Sequence, residues 1–114
     1  MLEKDRANLL AILESCQKIY RFTNDLFDAD AFFADQESFD AVLMNFILIG
    51  ESVSKLSEAI KSNSPHIPWQ KIKGFRNIAA HEYFGVDAEE VWQIVKNHLP
   101  VLERDIEQTL QNEH

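Results

Sequence analysis

The stretch from Gln36 to Lys61, QESFDAVLMNFILIGESVSKLSEAIK, decides the architecture. Phe39, Leu43, Phe46, Gly50, Val53, Ser57 and Ile60 recur at spacings of 4, 3, 4, 3, 4 and 3, the period of a helix and not of a strand. Val42, Ile49 and Leu56 make a second, flanking stripe, and Asp35 stands where an N-cap is needed. An apolar arc this wide exceeds what one neighbouring helix covers. The segment is expected to face a bundle core on one side and a homodimer seam on the other, with central burial in a monomer as the alternative.

The flanking sequence supports the same class. A first helix is predicted over Leu2 to Phe22, with Leu2, Leu9, Leu10, Leu13, Cys16, Ile19 and Tyr20 on its apolar side. Thr23 and Asn24 stop it, because both compete for backbone hydrogen bonds. Asp28 to Phe33 reads as a short helical turn with Phe32 and Phe33 inward, or equally as irregular chain. The linker Ser62 to Pro68 (SNSPHIP) precedes a third helix from about Pro68 to Tyr83, with Gly85 as its C-terminal cap. Asp87 opens a capping box for a last helix to about Leu110, with Val91, Trp92, Val95, Leu99, Leu102 and Ile106 inward and a kink expected at Pro100. No segment alternates with strand period. The prediction is an all-α, up-and-down bundle of four main helices in a single domain, residues 1–114.

Composition narrows the function classes. Cys16 is the one cysteine, which excludes an intrachain disulfide and a cysteine zinc site, and its place on an apolar stripe makes it inert core. The longest apolar run, Ala41 to Gly50, is too short to span a membrane and is broken by Asn45. The N-terminus lacks the basic-then-apolar order of a signal peptide, so a cytoplasmic location is expected. The net charge of −8 argues against a broad phosphate-coating protein. Between Pro65 and Phe84, however, Lys71, Lys73 and Arg76 outweigh Glu82, a small positive site on a negative body.

Inside that region lies Gly74-Phe-Arg-Asn-Ile-Ala-Ala-His-Glu-Tyr83. Arg76 is a permanent cation whose fork of donors suits a phosphate, and His81 exchanges protons near neutral pH. Asn77, four residues before His81, shares its helical face and can orient the imidazole. Arg76 and His81 are five residues apart, about 140° around an ideal helix, whereas Arg76 and Tyr83 nearly eclipse. The first two meet one phosphate only if the helix loosens near His81 or a second subunit brings its own pair. Glu51 interrupts the apolar run, either to support Arg76 or to cap or sit exposed. Lys71 and Lys73 are candidate phosphate contacts or simply solvated; Trp69 and Trp92 read as core before stacking platforms. His66, His81, His98 and His114 are scattered without ligand spacing, so neither metal nor cofactor is expected.

Arg76-Asn-Ile-Ala-Ala-His81-Glu-Tyr83 resembles the R-x4-H-x-Y motif of HepT-like toxins in the HEPN superfamily. Phe39 to Asn45, Ile49-Gly-Glu51, Ile67-Pro-Trp69, Gly74-Phe-Arg76, Tyr83-Phe-Gly85 and the last helix with Trp92 and Leu99-Pro100 are similar to that family in order and spacing. The resemblance implies a HEPN-like helical homodimer that cleaves RNA without a metal, as the toxin of a toxin–antitoxin pair. It implies catalytic roles for Arg76 and His81, with Asn77 at the variable polar position. It also implies a cognate MntA-like nucleotidyltransferase antitoxin that transfers AMP to Tyr83. The alternative is a non-catalytic HEPN module that dimerises and partners a nucleotidyltransferase.

The chemistry is coherent without the family. With His81 as general base, an RNA 2′-hydroxyl attacks its adjacent phosphorus, leaving a 2′,3′-cyclic phosphate and a 5′-hydroxyl, while Arg76 stabilises the phosphoryl oxygens.

Overall fold

The computed structural model describes residues 1–81 and 87–112, with His81 described through its backbone. All regular structure among the described residues is helical. In order these are α1 (Glu3–Thr23), α2 (Ala29–Ala34), α3 (Gln36–Ser54), α4 (Glu58–Asn63), α5 (Trp69–Lys73), α6 (Phe75–His81), α7 (Ala88–Gln93), a π-helical turn (Ile94–His98) and α8 (Leu99–Asn112). Four arms make the bundle: α1, α3, the α5–α6 segment, and the α7–π–α8 arm. The helix α3 lies at the centre, packed by α1, α5 and α6, and α8 closes on α1.

The predicted stripes of α3 point inward. Phe39, Leu43, Phe46 and Val53 are buried, and so are Val42, Ile49 and Leu56 of the flanking stripe. Both stripes are therefore used within one chain, which removes the reason first given for a dimer seam. A different strip of α3 stays open: Met44 is 56% exposed and Leu48 44%.

The segment expected as one helix from Gln36 to Lys61 is two. The break comes from a long-range contact. The buried Asp5 carboxylate accepts from the Ser57 backbone N–H at 2.8 Å and from its hydroxyl at 2.6 Å. The same hydroxyl accepts from the Ile60 N–H at 3.4 Å and so caps α4. Leu56 and Ile60 stay buried through the break, so the apolar period continues where the helix does not.

In α1 the buried apolar residues are Leu9, Ile12, Cys16 and Ile19. Leu10 and Leu2, expected inward, are exposed, and Ile12 takes the core position instead. Thr23 is the last residue of α1 and donates its hydroxyl to the Ile19 carbonyl at 2.9 Å. The helix α2 forms with Asp28 as its cap, accepting from the Ala31 N–H at 2.9 Å. Phe32 is fully buried between Phe39 (centroids 5.2 Å apart) and Trp92 (5.6 Å). Phe33, also expected inward, is 61% exposed, because neighbouring residues on a helix diverge by about 100°.

The third predicted helix divides at Gly74 into α5 and α6, with Pro68 as the N-cap of α5. The expectation that it runs on to Tyr83 with Gly85 as cap lies outside the described residues. Trp69 is buried, and its indole N–H donates to the carbonyls of Ser64 at 3.1 Å and Lys61 at 3.3 Å, which ties the linker to the core.

Asp87 caps α7 as expected, accepting from Glu89 N–H at 3.0 Å and Glu90 N–H at 3.3 Å. All six predicted inward residues of this arm are buried. Proline at position 100 is accommodated by the π turn just before it. The Leu99 N–H bonds the Ile94 carbonyl, five residues back, and this wider turn relieves the clash that the Pro100 ring would make with the carbonyl four residues before it.

Candidate active site on α6

A glycine decides where α6 sits. A side-chain carbon at Gly50 would lie 2.7 Å from Arg76 Cβ, 2.9 Å from the Lys73 carbonyl oxygen and 3.1 Å from the Arg76 nitrogen. Only a residue without Cβ lets the α5–α6 junction approach α3 this closely. Gly74 supplies the junction. Its N–H bonds the Gln70 carbonyl at 3.0 Å to end α5, and its carbonyl accepts from Asn77 at 2.9 Å and Ile78 at 3.1 Å to start α6.

From there the side chains of α6 divide. Phe75 turns inward and stacks on Phe46, with centroids 4.9 Å apart. Ala79 is buried against α3. Arg76 turns outward to the rim of α3, where Nη1 lies 3.0 Å from Glu51 Oε1. Half of the arginine side chain remains exposed. A guanidinium has five N–H donors, so one carboxylate leaves most of the fork open to an anion. Of the two readings of Glu51, the structure has it paired with Arg76.

The other candidates distribute as follows. Asn77 is exposed on α6, which also carries Arg76, and Lys71 and Lys73 are exposed on α5. Arg76 and His81 belong to one continuous helix, which keeps their 140° divergence and removes the option that the helix loosens before His81. The His81 side chain, Glu82 and Tyr83 lie outside the description, and with them the expected contact from Asn77 to the imidazole. His66 is exposed between α4 and α5 and His98 is exposed in the π turn, and among the described residues no three His, Cys, Asp or Glu side chains are grouped to hold a metal.

The model of the "Ribonuclease HepT-like" family matches residues 12–109. The chain belongs to the HepT-like ribonuclease family. Similar proteins include a "Putative RNase" of Methanocaldococcus jannaschii, 36% identical over 113 residues that cover 98% of this chain and 93% of that one. A "Probable ribonuclease HepT" of Thermococcus cleftensis is 32% identical over 96 residues, 84% of this chain and 86% of that one. A "Putative RNase" of Caldanaerobacter subterraneus is 29% identical and covers 98% and 99% of the two chains. No solved structure matches.

For this HepT-like chain the role of Gly50 was the part that sequence reasoning missed. Gly50 was placed on the inward stripe as if it were another core position. The signal was present: a glycine in mid-helix at a core-facing position forgoes packing and helix propensity, which marks a close backbone approach.

Proposed function

We propose that this HepT-like protein is the toxin of a toxin–antitoxin pair and cleaves RNA without a metal. The observation that carries the reading is Arg76, the first residue of the motif, held half-exposed by Glu51 on a helix fixed against Gly50, within a chain of a ribonuclease family.

His81 takes the proton from an RNA 2′-hydroxyl. The oxygen attacks the adjacent phosphorus, the bond to the 5′ oxygen breaks, and that oxygen receives a proton from a second, protonated His81. Arg76 faces the charge that develops on the non-bridging oxygens, a role for which a fixed guanidinium needs little reorganisation. The products are a 2′,3′-cyclic phosphate and a 5′-hydroxyl. Because Arg76 and His81 diverge on one helix, the complete set comes from a homodimer. The open strip of Met44 and Leu48 on α3 is the surface on which a second copy would place its own pair.

Tyr83 is the point of control. A cognate MntA-like nucleotidyltransferase transfers AMP from ATP to its hydroxyl and releases pyrophosphate. The added phosphodiester pairs with cations such as Arg76, and the nucleotide takes the place of substrate. The protein acts in the cytoplasm, where RNA and ATP are both present.

The test is cleavage of a defined RNA in EDTA by the wild type, Arg76→Ala and His81→Ala, with circular dichroism to confirm folding. Cleavage by the wild type alone, with cyclic phosphate ends, is expected. Folded wild type that never cuts RNA would favour the non-catalytic module, and cleavage that EDTA stops would reject the mechanism. Intact mass after incubation with the nucleotidyltransferase and ATP should rise by AMP units in the wild type and not in Tyr83→Phe.

A further inference from the structure

A cavity of about 120 Å³ lies between the α5–α6 segment, the π turn and α8. Its walls are the buried side chains Ile72, Phe75, Ile94 and Leu102. Lys71, His98 and Asp105 stand around it as the polar groups. Ile94 and His98 are the first and last residues of the π turn, so the widened turn itself shapes one side. Nothing in the mechanism above uses this space.

Three properties identify what fits. The volume is a little below the about 150 Å³ of an apolar cavity that takes benzene, room for the edge of one ring entering from the open side, and far short of the about 300–1,000 Å³ that drug-sized ligands need. The walls are carbon, with one aromatic ring, Phe75, held in place by its stacking on Phe46. The polar groups are mixed. Lys71 donates, Asp105 accepts and His98 can do either, a set that matches the edge of a heterocyclic base and not a bare phosphate. The surroundings supply the strand to which such a base belongs. Phe75 in the wall is the chain neighbour of Arg76, and Lys71 at the cavity is exposed on the same α5–α6 segment as Lys73, Arg76 and Asn77.

We infer that this cavity holds one unpaired base of the RNA substrate, close in the strand to the phosphate at Arg76, and that it sets the sequence preference of cleavage. The inference rests on the ribonuclease reading for its substrate, but it is tested by binding alone. Single-stranded RNA is read in this way, by bases turned out of the stack into apolar or aromatic slots while cations follow the backbone.

The experiment uses the whole protein with methyl-labelled Ile and Leu, titrated in nuclear magnetic resonance with each of the four nucleoside 5′-monophosphates and with inorganic phosphate. Saturable shifts of the Ile72, Ile94 and Leu102 methyls by one base above the others are expected, with no such shifts from phosphate. Val101→Trp, at the exposed mouth of the cavity, should weaken this binding by about tenfold or more, the order of one stacked base. His98→Ala, a milder change at an exposed site, should alter the ranking of the bases. Absence of shifts with all four nucleotides, or their reproduction by phosphate alone, overturns the inference, as does unchanged binding in both variants. If a base binds and RNA is never cut, the ribonuclease reading fails and the base site stands. If RNA is cut and no base binds, the reverse holds.

Discussion

Replacing Gly50 with alanine tests the claim that one missing side-chain carbon positions the site. The new Cβ would stand 2.7 Å from Arg76 Cβ, and carbon contacts are comfortable at about 3.5–4.0 Å, so the α5–α6 junction must retreat by about 0.8–1.3 Å. The Lys73 carbonyl at 2.9 Å cannot rotate away, because it is backbone. Overpacking of this kind costs about 1–3 kcal/mol. Alanine in place of glycine inside a helix returns about 1 kcal/mol. The net loss of stability should therefore be modest, about 0–2 kcal/mol, and the variant should fold. Activity should suffer far more, since a displacement of about 1 Å in a catalytic group can cost about 10²-fold. Urea denaturation and cleavage of a fluorogenic RNA measure the two effects side by side, with Ser54→Ala, an exposed change on the same helix, as the control. A Gly50→Ala protein that cuts RNA at the wild-type rate would refute the reasoning.

Other substitutions separate further contributions. Asp5→Ala removes a buried carboxylate that accepts two hydrogen bonds from Ser57, and should cost about 3 kcal/mol in urea denaturation, hydrogen bonds to charged groups being worth about 1.5–3 kcal/mol each. The Arg76–Glu51 pair is half exposed, so Arg76→Ala and Glu51→Gln should each change stability by less than about 1 kcal/mol while lowering cleavage. Desolvation, and then the neighbouring Glu107, raise the Glu103 carboxyl above its ordinary value despite the Gln17 hydrogen bond. A raised carboxyl favours the native state while protonated and opposes it as pH climbs through the raised value. Glu103→Gln should thus stabilise at neutral pH, by about 0.2–0.5 kcal/mol for a relieved like-charge pair, and flatten the acid side of the stability profile. Burial, with Glu103 adding to it, pushes the Cys16 thiol up to about 12, so a thiol reagent at pH 8 should label the unfolded chain and leave the native one untouched.

Periodicity made the core of α3 and of the last arm legible, because burial there depends on spacing within one segment. It failed where a distant residue intervenes. The division at Ser57 is imposed by Asp5, fifty-two positions earlier, and no local pattern announces it. Phe33 and Leu10 were misplaced because an apolar residue beside an inward one reads as inward in a list of types, although helix geometry turns it out. Arg76 and its pairing with Glu51 could be anticipated from charge and position. The cavity could not, since its walls come from α5, α6, α8 and a π turn that the proline foretold only as a kink.

That π turn has a consequence for chain length. Val91, Val95 and Leu99 are spaced by four and four, whereas Leu102, Ile106 and Thr109 return to four and three, all of them buried. Eight residues overrun two turns of an α-helix by about 80°, and the wider turn absorbs the excess. The arm therefore behaves as a plain helix carrying one inserted residue. A single-residue deletion inside a helix ordinarily rotates everything beyond it off the core. Here, loss of the exposed Lys96 together with Pro100→Ala would leave Leu99 seven residues after Val91, within about 20° of it on a plain helix, so the core face is kept. It would also draw Ile94 and His98 together and erase one wall of the cavity. One lost codon and one substitution, at a point where the core does not resist them, are enough to discard that cavity.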